Sequence, residues 1–152
     1  MKISAILKTH DKTDLAILLL RVTTGGTLMA HGAQKLFGWF GGYGLEATGQ
    51  WMDSIGLSPG YLMALLAGSG EFFGGLALLL GMLTRPAALG TALIMLVAMV
   101  AVHWTNGFFI TNSGYEYSLI LMVISICILL HGAGKYSLDH TLQAMFPNKP
   151  EK

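Results

Sequence analysis

The chain has 152 residues, of which 53% are hydrophobic and 11% are charged. Soluble domains carry about 25% charged residues, so this composition argues against a soluble globular protein. The net charge is +1 without a dense basic run, and we therefore expect no nucleic-acid partner.

The charged residues are clustered and leave two long uncharged runs, one from Arg85 to Glu116 and one from Glu116 to Lys135. A helix needs about 20 apolar residues to cross a hydrocarbon core of about 30 Å. The sequence therefore predicts an all-α integral membrane protein in the lipid bilayer. We expect residues 1–152 to form a single membrane domain, a bundle of four transmembrane helices. The spans are expected at about 15–37, 61–83, 87–104 and 115–130.

The cations beside the spans predict an orientation. Lys8, Lys12, Arg85 and Lys135 lie on one side, against Lys35 alone on the other. By the positive-inside rule both termini are cytoplasmic. In a bacterial host the protein would be a multi-pass protein of the inner (plasma) membrane, with its two longer loops outside.

The first outer loop shows helical periodicity over about residues 44–55. Glu46, Gln50 and Asp53 recur on one face, and apolar side chains lie mostly on another. We expect a short amphipathic helix that lies on the outer membrane surface or caps the bundle.

The end of the chain, residues 135–152, is expected to be a cytoplasmic tail. Ser137 is placed to N-cap an interfacial helix whose apolar residues include Leu138 and Leu142. A polar segment, Pro147–Lys152, would follow that helix.

Ionisable side chains within a span usually face the bundle interior, because lipid solvates them poorly. Arg21 on the first span and Glu71 on the second lie at depths that an arginine side chain can bridge. We expect them to form a buried ion pair, since either charge alone would be costly. Such a pair could fix the packing of the bundle or bind a ligand.

A second polar cluster is expected at the outer end, where the first and third spans leave the membrane. Histidine and glutamate can titrate near neutral pH when neighbours tune them, so this cluster could hydrogen-bond a quinone and move its protons. His103 and Glu116 are the candidates for that proton chemistry. With Arg21 and Glu71, the candidate quinone-binding residues are His31, Gln34, Lys35, His103, Asn106 and Glu116.

The histidines and Lys35 also fit roles that involve no quinone. Two histidines on different spans could ligate a b-type haem or a metal, but no helical His pair or supporting carboxylate set accompanies them, and we expect no metal site. Interfacial histidines and a snorkelling Lys35 would need no ligand at all. The single cysteine, Cys127, forms no intramolecular disulfide or CxxC pair, so any redox role needs a bound cofactor or a partner.

The order of short motifs over about Leu15 to Leu142 resembles the DoxX family. The resemblance implies a small four-helix inner-membrane protein, and the founding member of that family is the membrane subunit of a thiosulfate:quinone oxidoreductase. For a quinone role it points to Arg21, Glu71, His103 and Glu116, with a partner oxidoreductase subunit supplying the soluble catalytic part. The motifs are Arg21, His31-Gly32-x-x-Lys35-x-Phe37-Gly38, Gly56-Leu57-Ser58-Pro59, Glu71-x-x-Gly74-Gly75, Gly81-x-x-Thr84-Arg85-Pro86-Ala87-Ala88 and Gly134-x-x-Ser137-Leu138-Asp139.

The sequence is compatible with three functions. A membrane subunit of a quinone-linked oxidoreductase, not a complete enzyme alone, predicts a pocket between the helices that opens sideways to lipid. A non-catalytic protein that binds a lipid or small hydrophobic molecule, or holds a partner complex together, predicts a filled ion-pair core without a cavity beside Glu71. A proton-coupled transporter is the third, although four spans are few for alternating access unless the protein forms a homo-oligomer.

Overall fold

The computed structural model describes residues 10–146, and the described chain is entirely helix and loop. Lys8, one of the cations that predict the orientation, and the expected polar tail Pro147–Lys152 lie outside the described residues. Six α-helices occur within the described range. They are α1 His10–Phe37, α2 Gly44–Ser54, α3 Gly60–Leu80, α4 Thr84–Val97, α5 Glu116–His131 and α6 Leu138–Met145.

Three helices are long and apolar enough to cross a membrane: Lys12–Phe37, Gly60–Leu80 and Thr84–Asn106. The third of these is α4 with its continuation, a π-helical turn at Ala98–His103 and a 3₁₀ turn at Trp104–Asn106. α5 is also apolar, and its 16 residues correspond to a length of about 24 Å. The prediction of an all-helical membrane protein is therefore confirmed.

Glycines bring α1 and α3 into close contact. A Cβ at Gly25 would lie 2.5 Å from the carbonyl oxygen of Gly75, and a Cβ at Gly32 would overlap the backbone of Phe72 and Gly68. These contacts fix which turns of the two antiparallel helices face each other. The neighbouring Gly26 would have nothing within 4 Å of an added Cβ and takes no part in this contact.

The motif glycines of α3 divide between two neighbouring helices. Gly74 approaches the side chain of Thr91, and Gly70 approaches that of Ile94, so both pack against α4. Gly75 instead packs against α1. One helix thus uses two stripes of small residues to bring two neighbours close.

The apolar core joins the four longer helices. Its buried members are Leu28, Leu78, Ala88, Met95, Leu121 and Ile128. Within it, Thr91 Oγ1 donates a hydrogen bond to Ser125 Oγ over 3.2 Å, which ties α4 to α5. The outward side chains are apolar as well, including Leu130 on α5, which is 75% exposed. An apolar exterior of this kind suits contact with lipid rather than water.

Candidate ligand-binding pocket

A cavity of about 400 Å³ lies between α1, α3, α4 and α5, with α2 along one side. We call it the central pocket. Most of its lining is apolar, and its volume falls within the range of small-molecule sites. The polar side chains that line it are His31, Lys35, Glu71, His103, Tyr117 and Ser118.

A partly buried ion pair forms part of the wall of the central pocket. Lys35 Nζ donates a hydrogen bond to Glu71 Oε2 over 2.6 Å. The Glu71 side chain is 5% exposed and the Lys35 side chain 25%. Among the described residues, Lys35 is the one hydrogen-bond donor to this carboxylate, so Glu71 Oε1 keeps its capacity to accept from a ligand.

The predicted ion pair between Arg21 and Glu71 is wrong. Arg21 instead donates to backbone carbonyls: from Nε to Leu78 over 3.0 Å, from Nη1 to Tyr136 over 3.1 Å and to Ala133, and from Nη2 to Leu79 over 3.4 Å. The close packing of Gly25 against Gly75 places Arg21 beside the end of α3. Leu78 lies seven residues beyond Glu71, about 10 Å farther along the helix, which is too far for the guanidinium to serve both.

Arg21 belongs to a group of residues at the opposite end of the bundle, which we call the clasp: Arg21, Gly81, Thr84, Ser137 and Asp139. Asp139 accepts hydrogen bonds from the backbone amides of Leu83 and Thr84, each over 2.8 Å. Arg21 therefore supplies a cation to the carbonyl end of α3, and Asp139 an anion to the amide end of α4. Both placements complement the helix dipoles.

The clasp also orders the last helix. Ser137 N-caps α6 as predicted, its Oγ accepting a hydrogen bond from the amide of His140 over 3.1 Å. The amide of Asp139 donates to the Gly81 carbonyl over 2.9 Å. Burial raises the pKa of Asp139, but the Thr84 and Leu83 amides and the Arg21 charge outweigh it and hold that pKa below its ordinary value.

The residues expected at the outer end are only partly brought together. His31, Lys35 and His103 line the central pocket. Asn106 donates from Nδ2 to the carbonyl of Ser113 over 3.2 Å, and Glu116 Oε1 accepts from the amide of Ile110 over 2.9 Å. Asn106 and Glu116 thus secure the loop between α4 and α5 and do not line the pocket.

His103 is held in one orientation by the same loop. Its Nδ1 lies 2.7 Å from the carbonyl oxygen of Ser113, and because a carbonyl can only accept, Nδ1 carries a proton. In the neutral ring Nε2 is therefore the acceptor. His103 ends the π-helical turn Ala98–His103, and Ala98, Val102 and His103 all line the pocket. The widened turn presents residues four and five apart on one face.

A second cavity, of about 570 Å³, lies beside the loop that joins α1 to α2. Gln34 lines this cavity and not the central pocket, and its Nε2 donates to the carbonyl of Phe40 over 3.3 Å. Lys35 and Trp51 line both cavities. The lysine of the ion pair consequently stands between a loop-side cavity and the central pocket.

α2 lies over the central pocket at the position expected for the loop helix. Trp51 and Met52 of α2 contribute to the lining. Asp53 Oδ1 accepts hydrogen bonds from Ser58 Oγ and from the amide of Gly60, each over 2.8 Å. These bonds fasten α2 to the beginning of α3.

Sequence reasoning missed Tyr117, Ser118 and Trp51. The Tyr117 ring packs edge-on against His31, with centroids 5.8 Å apart. Tyr117, Ser118 and Leu121 all line the pocket, and their spacing is that of one helix face. That spacing at the head of the fourth apolar run is the signal that could have found them.

The part of the chain that the structure describes holds no group of three or more His, Cys, Asp or Glu residues placed to bind a metal ion. The two pocket histidines, His31 and His103, come from different helices. What the arrangement offers is an apolar chamber with hydrogen-bonding groups on several walls.

Comparison with known proteins gives a consistent family match. The DoxX family profile matches residues 16–104. A Haemophilus influenzae protein described as uncharacterized is 28% identical over 139 residues, covering 90% of this chain and 89% of the relative. A Bacillus subtilis protein named "Putative oxidoreductase CatD" is 32% identical over 126 residues, covering 83% and 86%. The Escherichia coli "Inner membrane protein YqjF" is 30% identical over 129 residues, covering 85% and 93%, and no solved structure gives a significant match.

Proposed function

The chain belongs to the DoxX family of membrane proteins, and from that premise we propose that it crosses the bacterial inner membrane four times. α1, α3 and α4 with its continuation supply three spans. α5 supplies the fourth, because it is apolar and packs against α1 and α4. α2 is the short amphipathic helix of the first outer loop, and both termini are cytoplasmic.

Thiol labelling tests this topology. In a Cys127→Ser background, an impermeant reagent applied to spheroplasts should label Ser113→Cys, in the exposed loop after α4. Tyr136→Cys, at a position 58% exposed in the native chain, should react only after the membrane is opened. Labelling of both from outside would contradict the four-span arrangement.

We propose further that the protein is the membrane subunit of a quinone-linked oxidoreductase and that the central pocket binds the quinone ring. The single observation that carries this proposal is the cavity beside Glu71, because a purely structural ion pair predicts a filled core there. The cavity is largely apolar and has polar side chains on α1, α3, α4 and α5. The name of the Bacillus subtilis relative supports an oxidoreductase role.

Different pocket residues would supply the donors, the acceptors and the packing contacts for such a ring. Lys35 has further N–H donors beside the one given to Glu71, and these suit a carbonyl oxygen. Glu71 Oε1 and His103 Nε2 are acceptors suited to hold a proton, whereas Tyr117 and Met52 supply packing area. A bound quinone would supply two-electron, two-proton chemistry. Because these side chains are not electron donors, a partner subunit would provide the electrons.

Ligand binding can be measured directly on protein purified in a mild detergent. Solvent extraction and mass spectrometry should recover a quinone in stoichiometric amount. In lipid nanodiscs, a short-chain quinone should quench the fluorescence of Trp51, which lines the pocket. Phospholipid alone would favour the non-catalytic binding protein, and a Soret absorption band would favour haem.

A matched pair of variants tests whether the ligand occupies the central pocket. Ala98 lines the pocket, whereas Ala101, in the same π-helical turn, is exposed and does not. Ala98→Phe should fill the chamber and abolish quenching by the quinone, and Ala101→Phe should bind as the native chain does. Equal binding by both variants would place the ligand elsewhere.

A further inference from the structure

We infer that the Lys35–Glu71 pair makes the central pocket selective for uncharged ligands and excludes anionic lipids and fatty acids from it. The inference rests on the proposed function, since it names the class of molecule that the pocket accepts. It follows from the charges of the lining, from the burial of each partner and from the donors that the pair leaves unused.

The charges of the lining cancel. Lys35 is the one Lys or Arg, and Glu71 the one Asp or Glu, among the described residues that line the pocket. They are joined over 2.6 Å. The other titratable groups that face the chamber are the imidazoles of His31 and His103 and the phenol of Tyr117. The ammonium and carboxylate groups of the ion pair therefore add no net charge to the lining.

An anionic ligand would not find an unbalanced positive charge in the pocket. A carboxylate or phosphate placed among apolar walls must be paired, because an unpaired charge there costs several kcal/mol. Lys35 carries one positive charge, which already balances Glu71. A spare Lys35 donor can form a hydrogen bond to an incoming anion, but two negative charges would then share one ammonium group, and the Glu71 side chain is only 5% exposed. One negative charge would therefore stay uncompensated in the pocket.

An uncharged ligand with a hydrogen-bond acceptor meets no such obstacle. The ammonium group of Lys35 has three donors, and one of them goes to Glu71. A second can reach a carbonyl oxygen while the ion pair stays intact. In a bilayer rich in anionic lipid, this property reserves the pocket for neutral carbonyl compounds.

The test compares two ligands that differ by one methyl group and, through it, in charge: a brominated long-chain carboxylate and its methyl ester. Bromine quenches tryptophan on contact, so Trp39→Phe and Trp104→Phe are introduced to leave Trp51 as the reporter. The measurement uses phosphatidylcholine nanodiscs at about pH 7.5. Adding Ala98→Phe, which fills the chamber, gives the quenching that arises from the surrounding bilayer. The ester should bind at least about ten-fold more tightly than the carboxylate.

Charge removal at Glu71 should abolish or reverse this preference. Glu71→Gln leaves Lys35 as an unpaired cation, and binding of the carboxylate should become at least about ten-fold tighter. Glu46→Gln removes the same charge from an exposed position on α2 that does not line the pocket, and it should leave the preference unchanged. The double variant Lys35→Gln/Glu71→Gln should keep the preference for the ester, which covers the case in which Glu71→Gln alone fails to fold.

The outcomes separate this inference from the proposed function. The charge selectivity is wrong, although the pocket binds ligands, if the carboxylate binds the native pocket as tightly as the ester. It is also wrong if Glu71→Gln leaves the preference unchanged or if the Lys35→Gln/Glu71→Gln variant loses it. If neither ligand quenches Trp51 beyond the level of the Ala98→Phe protein, the binding function itself is wrong and the selectivity with it.

Discussion

The two ends of the bundle each bury a basic side chain, and they use it in opposite ways. Arg21 in the clasp is 1% exposed and bonds to four carbonyls from two segments of the chain. Lys35 is 25% exposed in its side chain, has one carboxylate partner and borders a cavity on either side. The clasp directs its hydrogen bonds to the chain itself, whereas the pocket keeps hydrogen-bonding groups available for a ligand.

The chemistry of the two side chains suits this division. The guanidinium group presents five donors in a rigid plane, so Arg21 can hold the end of α3 against the segment that leads into α6. The ammonium group of Lys35 is compact and its donors can rotate, so it can stay bonded to Glu71 and donate a further hydrogen bond to a ligand. The comparison predicts that the clasp controls stability and that the pocket controls binding.

Arg21→Met should produce the largest loss of stability. It removes the guanidinium donors to the carbonyls of Leu78, Leu79, Ala133 and Tyr136. The Leu78 carbonyl keeps the Gly81 amide as a donor, but buried acceptors that lose their partner are costly. We expect the free energy of unfolding to fall by about 3–5 kcal/mol, measured by denaturant titration in detergent micelles.

The matched control for that variant is Arg85→Met. Arg85 is exposed at the beginning of α4, so its loss should change stability by less than about 0.5 kcal/mol. An Arg21→Met protein that unfolds normally but no longer binds quinone would reverse the assignment of the two ends.

A smaller loss is expected from crowding within the clasp. Gly81 has φ +68°, and a Cβ there would lie 2.5 Å from Arg21 Nη2 and 2.6 Å from Ser137 Cβ. Gly38 has the same left-handed conformation, with φ +71° and ψ +15°, and no atom nearer than 3.4 Å to the same position. Gly38→Ala should therefore destabilise by about 1 kcal/mol from the backbone alone, and Gly81→Ala by about 2–4 kcal/mol from backbone and overpacking together. Thermal unfolding of the two variants side by side checks the difference, and equal losses would show that the clasp can relax.

The sequence predicted the helices better than their contacts, and Arg21 shows why. Hydropathy reports where a helix can cross a membrane, and the long apolar helices were found with errors of a few residues at their ends. α1 begins at His10 rather than near 15, and α3 ends at Leu80 because Gly81 turns the chain. The partner of Arg21 depended on register, which is set by the packing of Gly25 on Gly75.

The candidate site was half predictable for the same reason. Lys35, Glu71, His31 and His103 were visible as polar groups in apolar runs, and the structure places them all around one cavity. The π-helical turn that presents His103 has no signature that hydropathy could reveal. The motif residues Arg21, Gly81, Ser137 and Asp139 lie together in the clasp, whereas the motif residues His31, Lys35 and Glu71 line the pocket. The motifs thus marked the fold as well as the candidate site, and the sequence could not separate the two.

The smallest expected effect is the pH dependence of the clasp, which arises at Asp139. Burial raises the pKa of this carboxyl group, but the amides of Thr84 and Leu83 together with the charge of Arg21 hold the folded-state pKa below its ordinary value of 3.8. The folded protein therefore binds fewer protons than the unfolded chain, and stability rises with pH. The contribution is complete above about pH 5 and is lost as the pH falls through the lowered pKa.

Asp139→Asn should remove this pH dependence of stability. The variant keeps an acceptor for the amide end of α4 and cannot titrate, so it should be less stable than the native chain by about 1 kcal/mol at neutral pH. The difference should shrink as the pH falls below about 4, because the unfolded native chain then gains a proton at Asp139 that the folded chain does not, and it disappears only below the lowered folded-state pKa. Thermal unfolding at stepped pH measures it, with Glu46→Gln as the control for an exposed carboxylate. If the difference in stability between Asp139→Asn and the native chain stays constant with pH, Asp139 contributes only hydrogen-bond geometry to the clasp. Its charge would then have no part in holding α3, α4 and α6 together.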